Sequence, residues 1–239
     1  MHRQSPRFLG VGAGVVDISQ ITTLLFDLDE TLVHAPDDGD ERLAAAFRAA
    51  DVEPFFDLDD FRRVIPDIQG ESPLDLRRKA FRRIAQESDK DPEDAVRVAR
   101  AFQMPTASEF TPVQSATTVV KTLQDRGYTV GLVTNGPEAK QRAKLELLEL
   151  ESAFETTVFG EPERGLKPDS APFETALADL DADPDETVKV GDSLPIDIVP
   201  ATRLGMHAIW FPNGARDQSE SNPADVVISE LATLLEEPW

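Results

Sequence analysis

Cysteine is absent from this 239-residue chain, which excludes a disulfide framework and any thiolate-bound zinc site. Histidine is nearly absent too. His2, His34 and His207 are too scattered for a local histidine metal motif. No run approaches the roughly 18 apolar residues that span a bilayer, so the chain is expected to be cytoplasmic, with no membrane partner. The stretch Phe8 to Val16, after Arg3 and Arg7, has the outline of a signal segment. It is short and lacks a small-residue cleavage site before Asp17, so secretion is not expected. Positive charge is scarce: 24 Lys and Arg face 45 Asp and Glu, a net charge of −21. That balance argues against a surface whose overall field attracts a nucleic acid polymer or an anionic membrane. The acid is spread along the whole chain, as suits the proteome of a high-salt cytosol where screening relieves self-repulsion.

What is present is a chain long enough for one large domain, or for a domain carrying an insertion. Ile21 to Leu28 is an apolar, β-rich run that meets acid abruptly at Asp27, Asp29 and Glu30. A buried parallel strand does this where its carboxyl end reaches solvent. From Asp38 to Gln103 the pattern turns helical, with breakers at Pro54, Pro66, Gly70 and Pro92. Beyond Pro105, strands and helices alternate. Helices are expected over 115–125, 138–149 and 171–180, and strands over 128–133, 157–159, 187–190, 207–211 and 225–228. A further helix should reach Leu204, and another should end the chain. Such alternation predicts an α/β fold: a doubly wound, mostly parallel sheet with helices on both faces. The expected division is a catalytic core of 1–34 and 104–239, with a helical insertion of 35–103.

In an open α/β sheet, ligands bind beyond the carboxyl ends of the strands. Four polar clusters fall there: Asp27-Leu28-Asp29-Glu30-Thr31, Thr134-Asn135-Gly136, Lys167-Pro168-Asp169, and Gly191-Asp192-Ser193 with Asp197 five residues after Asp192. Singly, each also reads as an ordinary turn or cap. Together they supply several carboxylates, one amine and one hydroxyl. Converging carboxylates repel one another unless a cation sits among them, and oxygen ligands favour a hard ion such as Mg2+. A lysine beside them completes a clamp for a transferring phosphoryl group. An ionised Asp can attack phosphorus, and a second Asp two residues on can protonate the leaving oxygen.

In this order, the motifs resemble those of the haloacid dehalogenase superfamily, specifically its Mg2+-dependent phosphatases. DxDxT is matched by Asp27, Asp29 and Thr31, the second motif by Thr134, the third by Lys167, and GDxxxxD by Gly191, Asp192 and Asp197. The resemblance implies Asp27 as nucleophile and Asp29 as general acid and then base. It implies Thr134 and Asn135, with neighbouring backbone amides, as phosphate ligands, and Lys167 as charge stabiliser. It further implies Mg2+ on Asp27, Asp192 and the Asp29 carbonyl, with Asp197 acting through water or through Lys167. The insertion resembles the family's helical cap, which closes over the site and selects substrate. The expected substrate is a small-molecule phosphomonoester. Phosphoryl transfer between sugar hydroxyls, as in a mutase, and a non-catalytic phospho-acceptor module are the alternatives.

One part of the insertion is an electrostatic exception. Pro73 to Ser88 holds Arg77, Arg78, Lys79, Arg82 and Arg83 against only Asp75 and Glu87. Arg78 and Arg82 share a helix face that could meet an anionic substrate, but a solvated face paired with nearby acids is the expected reading.

Overall fold

A computed structural model describes residues 20–65, 68, 70, 72–161, 165–212 and 222–236. The signal-like stretch Phe8 to Val16 lies outside them. The chain divides into two compact units: one runs through Ala35 and resumes at Phe110, and the other is Pro36–Glu109.

The first unit is built on a six-stranded sheet of order β5-β4-β1-β6-β7-β8. Its strands are β1 (Thr23–Phe26), β4 (Thr129–Asn135), β5 (Thr156–Gly160), β6 (Thr187–Gly191), β7 (His207–Trp210) and β8 (Val226–Val227). All neighbours are parallel. β1 is central, with Phe26 opposite Leu132 on one side and Val190 on the other. Its four residues are buried on both faces, the expected result of an apolar run in a parallel sheet. Helices α5 (Ala116–Asp125) and α6 (Glu138–Leu147) contribute Val119, Leu123 and Leu145 to the core that includes Leu24, Phe26 and Leu132. Helices α7 (Ala171–Leu180) and α8 (Val199–Arg203) pack Phe173 and Ala201 with Leu25 and Val133. Alternate residues of one strand thus serve two hydrophobic layers.

Three details depart from the sequence expectations. The helix expected after Asp192 opens as a π-helix, Leu194–Ile198, before α8 begins. Ile198 N–H donates to Ser193 O at 3.2 Å, five residues back, and Pro200 has no N–H to offer the normal ladder. The expected terminal helix is a 3-10 helix, Leu231–Leu235, whose buried Leu231 and Leu234 share its three-residue period. A two-stranded antiparallel ribbon, β2 (Val33–His34) with β3 (Thr111–Pro112), was not legible at all, since neither strand exceeds two residues.

Among the described residues, the second unit holds four α-helices, α1 (Gly39–Ala50), α2 (Leu58–Val64), α3 (Pro73–Glu87) and α4 (Pro92–Ala101), and a short 3-10 helix, Ala107–Glu109. Their starts follow from local chemistry. Asp57 and Asp60 form a reciprocal capping box on α2, Ser72 accepts from Asp75 N–H on α3, and Asp91 accepts from Glu93 N–H on α4. Phe47, Phe56, Phe81 and Phe102 form the centre of its core. Phe81 meets Phe56, Phe61 and Phe102 edge to face at centroid distances of 4.7, 5.2 and 6.0 Å. The unit extends past residue 103 to Glu109 because that carboxylate accepts from Thr106 N–H at 2.7 Å and pairs with Arg42 of α1.

Candidate active site

The carboxyl ends of β1, β4 and β6 bring the sequence motifs together. Asp27 follows β1, its N–H donating to Val190 O at 2.9 Å, so the central strand aims a nearly buried carboxylate past the sheet edge. Lys167 comes from the loop between β5 and α7. Its Nζ lies 2.7 Å from Asp27 Oδ1 and 2.6 Å from Asp197 Oδ1, with all three side chains out of solvent. Asp197 reaches this point because the π-helix turns it inward against Gly191. A Cβ on Gly191 would stand 2.6 Å from Asp197 Cβ, so glycine is needed there for close approach.

The electrostatics are those of an overcrowded acidic site. Asp27, Asp192 and Asp197 each offer an oxygen within 4.8 Å of the others. Burial first, and then the Asp27 and Asp197 charges, push the Asp192 carboxyl up to about 8. Burial and Asp197 likewise raise Asp27, against the opposing pull of Lys167 and Lys189. For Asp197 burial works the same way, but Lys167 and Lys189 outweigh it and hold that carboxyl below its ordinary value. Burial would discharge Lys167, yet Asp197 and Asp27 overcome it and keep the ammonium charged. Asp197 Oδ2 is buried without a hydrogen-bond partner. An all-oxygen donor set with an unsatisfied buried oxygen and mutually repelling carboxylates fits a hard divalent cation.

Thr134, next to last in β4, is buried, with its Oγ1 2.8 Å from Gln141 Nε2. Asn135, the last residue of β4, follows it. Its side-chain amide is committed to the Lys167 backbone at both polar atoms. The side chain is therefore a clamp on the lysine loop. Gly160 of β5 passes so close to Asn135 Oδ1 that no Cβ fits there. Asp29 projects toward α6 rather than into the carboxylate cluster, so of the four expected metal residues only Asp27, Asp192 and Asp197 group their carboxylates.

Sequence reasoning missed four participants. Gln141 and Lys144 contact Asp29, Lys189 stands 3.2 Å from Asp197 Oδ1, and Trp210 Nε1 donates to Asp192 O at 2.7 Å. Three carried a signal. Positions 141, 144 and 145 form the buried stripe of α6, continued by Leu148 just past its end, and its first two places hold polar side chains. Lys189 interrupts an otherwise apolar, fully buried strand, and burial lowers its ammonium to about 8.

Residues 21–205 match the haloacid dehalogenase-like hydrolase family. A ribulose-1,5-bisphosphate 5-phosphatase from Halopiger xanaduensis is 32% identical over 84% of this chain and 89% of its own. A glyceraldehyde 3-phosphate phosphatase from Pyrococcus furiosus is 38% identical, over about half of each chain (48% and 49%). Among solved structures, a phosphatase from Thermococcus onnurineus superposes with a TM-score of 0.60 at 24% identity, covering 90% of this chain and 97% of that one. The chain belongs to the haloacid dehalogenase-like hydrolases, and within them to the phosphatases.

Proposed function

We propose that the protein hydrolyses small-molecule phosphomonoesters through a phosphoryl group carried on Asp27, with Mg2+ as cofactor. An Asp27 oxygen attacks phosphorus, the bond to the leaving oxygen breaks, and Asp29 gives that oxygen its proton. Asp29 then takes a proton from the water that releases phosphate from Asp27. Thr134 Oγ1 and the Asn135 N–H hold the phosphoryl oxygens. Lys167 neutralises charge on the nucleophile and on the transferring group, and Asp197 holds Lys167 in place. Asp27, Asp192 and the Asp29 carbonyl would hold Mg2+, which supplies positive charge for the phosphoryl oxygens.

The observation that carries this reading is Lys167 Nζ bridging Asp27 Oδ1 and Asp197 Oδ1 at 2.7 and 2.6 Å beyond the central strand. The helical unit is proposed as the cap that selects the ester. In support, it is inserted directly after the first strand's loop, and Arg78 Nε within it is buried without a hydrogen-bond partner. A small anionic ester in a cytoplasmic, salt-rich setting suits a chain of net charge −21, as a nucleic acid polymer does not. No helix of the described residues is long and apolar enough to cross a membrane.

The test is Asp27→Asn, which keeps the size and removes the nucleophile. Phosphate release from esters, measured without any acceptor alcohol, should fall about a thousandfold or more with an unchanged circular dichroism spectrum. A variant keeping a tenth of the activity rejects the assignment.

A further inference from the structure

Asp29, the group given the proton in the reading above, is held at both oxygens by one helix. Lys144 Nζ lies 2.5 Å from Asp29 Oδ1, and Gln141 Nε2 lies 2.8 Å from Asp29 Oδ2. The same Gln141 nitrogen is 2.8 Å from Thr134 Oγ1 and 2.9 Å from Asn135 O. Gln141 and Lys144 are each 2% exposed, on the face of α6 that continues into Leu145 and Leu148. An apolar side chain would fill either place as well, and without the desolvation cost of an ammonium. That cost falls on Lys144 alone, because its side chain is 3% exposed and the Asp29 side chain 38%. The Phe110 ring, 4.1 Å from Nζ, gives further support to the cation. A lysine buried this deeply against a half-exposed partner contributes little as a stabilising pair, so its use is geometric.

We propose that Gln141 and Lys144 are positioning residues for the phosphatase reaction, an inference that rests on Asp29 acting as the general acid. Oδ1 faces the Lys144 ammonium and Oδ2 the neutral Gln141 amide, so Oδ2 is the oxygen that carries the transferable proton. Gln141 ties that oxygen to Thr134 Oγ1 and the end of β4, fixing the proton donor at a set distance from the hydroxyl that holds the phosphate. As the Asp27–phosphorus bond forms and the ester bond breaks, the Oδ2 proton passes to the leaving oxygen. Neither α6 residue gains or loses a proton.

The test compares two leaving groups through kcat/KM, which reports the steps up to leaving-group departure. Glycerol 2-phosphate needs a proton on its alkoxide, whereas p-nitrophenyl phosphate releases a phenolate that needs none. Asp29→Asn should reduce kcat/KM for the alkyl ester at least about thirtyfold more than for the aryl ester. Lys144→Met should show the same bias, about tenfold, and Lys144→Arg should recover most of it. The double variant Lys144→Met with Asp29→Asn should be no worse than Asp29→Asn alone, as expected for residues acting through one another. Equal losses on both esters, or additive losses in the double variant, would overturn the positioning role and leave Lys144 a packing residue. Absence of any bias in Asp29→Asn would instead reject Asp29 as the acid. If Lys144→Met does not fold, Gln141→Leu makes the same comparison with no change of charge, and equal loss on both esters there rejects the proposal.

Discussion

Asn135 and Lys167 hold each other by two reciprocal hydrogen bonds: Asn135 Nδ2 donates to the Lys167 carbonyl and Lys167 N–H donates to Asn135 Oδ1, both at 2.8 Å. The end of β4 thereby fixes the backbone of a residue 32 positions away. The Lys167 ammonium, which must reach Asp27 and Asp197 together, starts from a defined origin.

Asn135→Ala should therefore act through Lys167. Two part-buried hydrogen bonds are lost, for a destabilisation of about 1–3 kcal/mol. The lysine loop gains freedom, so kcat should fall about 10–100-fold with little change in KM. Thermal melting alongside steady-state kinetics checks both. A kcat within twofold of the parent would show that the clamp does not position Lys167.

Metal binding should be coupled to a proton. With Asp192 pushed up to about 8, its carboxyl is protonated at neutral pH in the folded, metal-free protein and ionised in the unfolded chain. The folded state binds the extra proton between about 4 and 8, so this group's contribution to stability falls as pH rises through that window. Mg2+ takes the ionised form. Its apparent affinity should rise up to about pH 8, with about one proton released per ion at pH 6.5 and almost none at pH 9. Calorimetry in two buffers of different ionisation enthalpy measures the release. Asp192→Asn should weaken binding at least about tenfold and abolish the release, and unchanged release in that variant would place the proton elsewhere.

Phe81→Ala should unsettle the helical unit in particular. Phe81 is fully buried at the meeting point of three aromatic partners, and truncating such a ring costs about 3–5 kcal/mol. Hydrogen exchange should accelerate across α2, α3 and α4, while β1, β4 and β6 keep their protection. Uniform acceleration through both units would show that they unfold together.

Much of this protein was legible in its sequence, and for a physical reason. A parallel strand buried on both faces must be apolar until it leaves the sheet, so the change from ITTLLF to Asp27 marks both the strand and the place where function begins. The same rule located Thr134 and Asp192 at the ends of β4 and β6, and the motifs at those ends are enough to mark the family. What tertiary structure decided are contacts between side chains far apart in the chain. The burial pattern marks Gln141, Lys144 and Lys189 as unusual, but the partners themselves, Asn135 with the Lys167 backbone, Gln141 and Lys144 with Asp29 across more than a hundred residues, and Lys189 with Asp197, have no local signature. The π-helix that turns Asp197 inward depends on how Ser193 and Ile198 bond within the fold, which periodicity does not encode. Local sequence dictates which face of an element is buried. Which polar groups meet across that buried space depends on packing of the whole sheet and its helices, because an unpaired polar group is stable there only if the assembled fold supplies its partner.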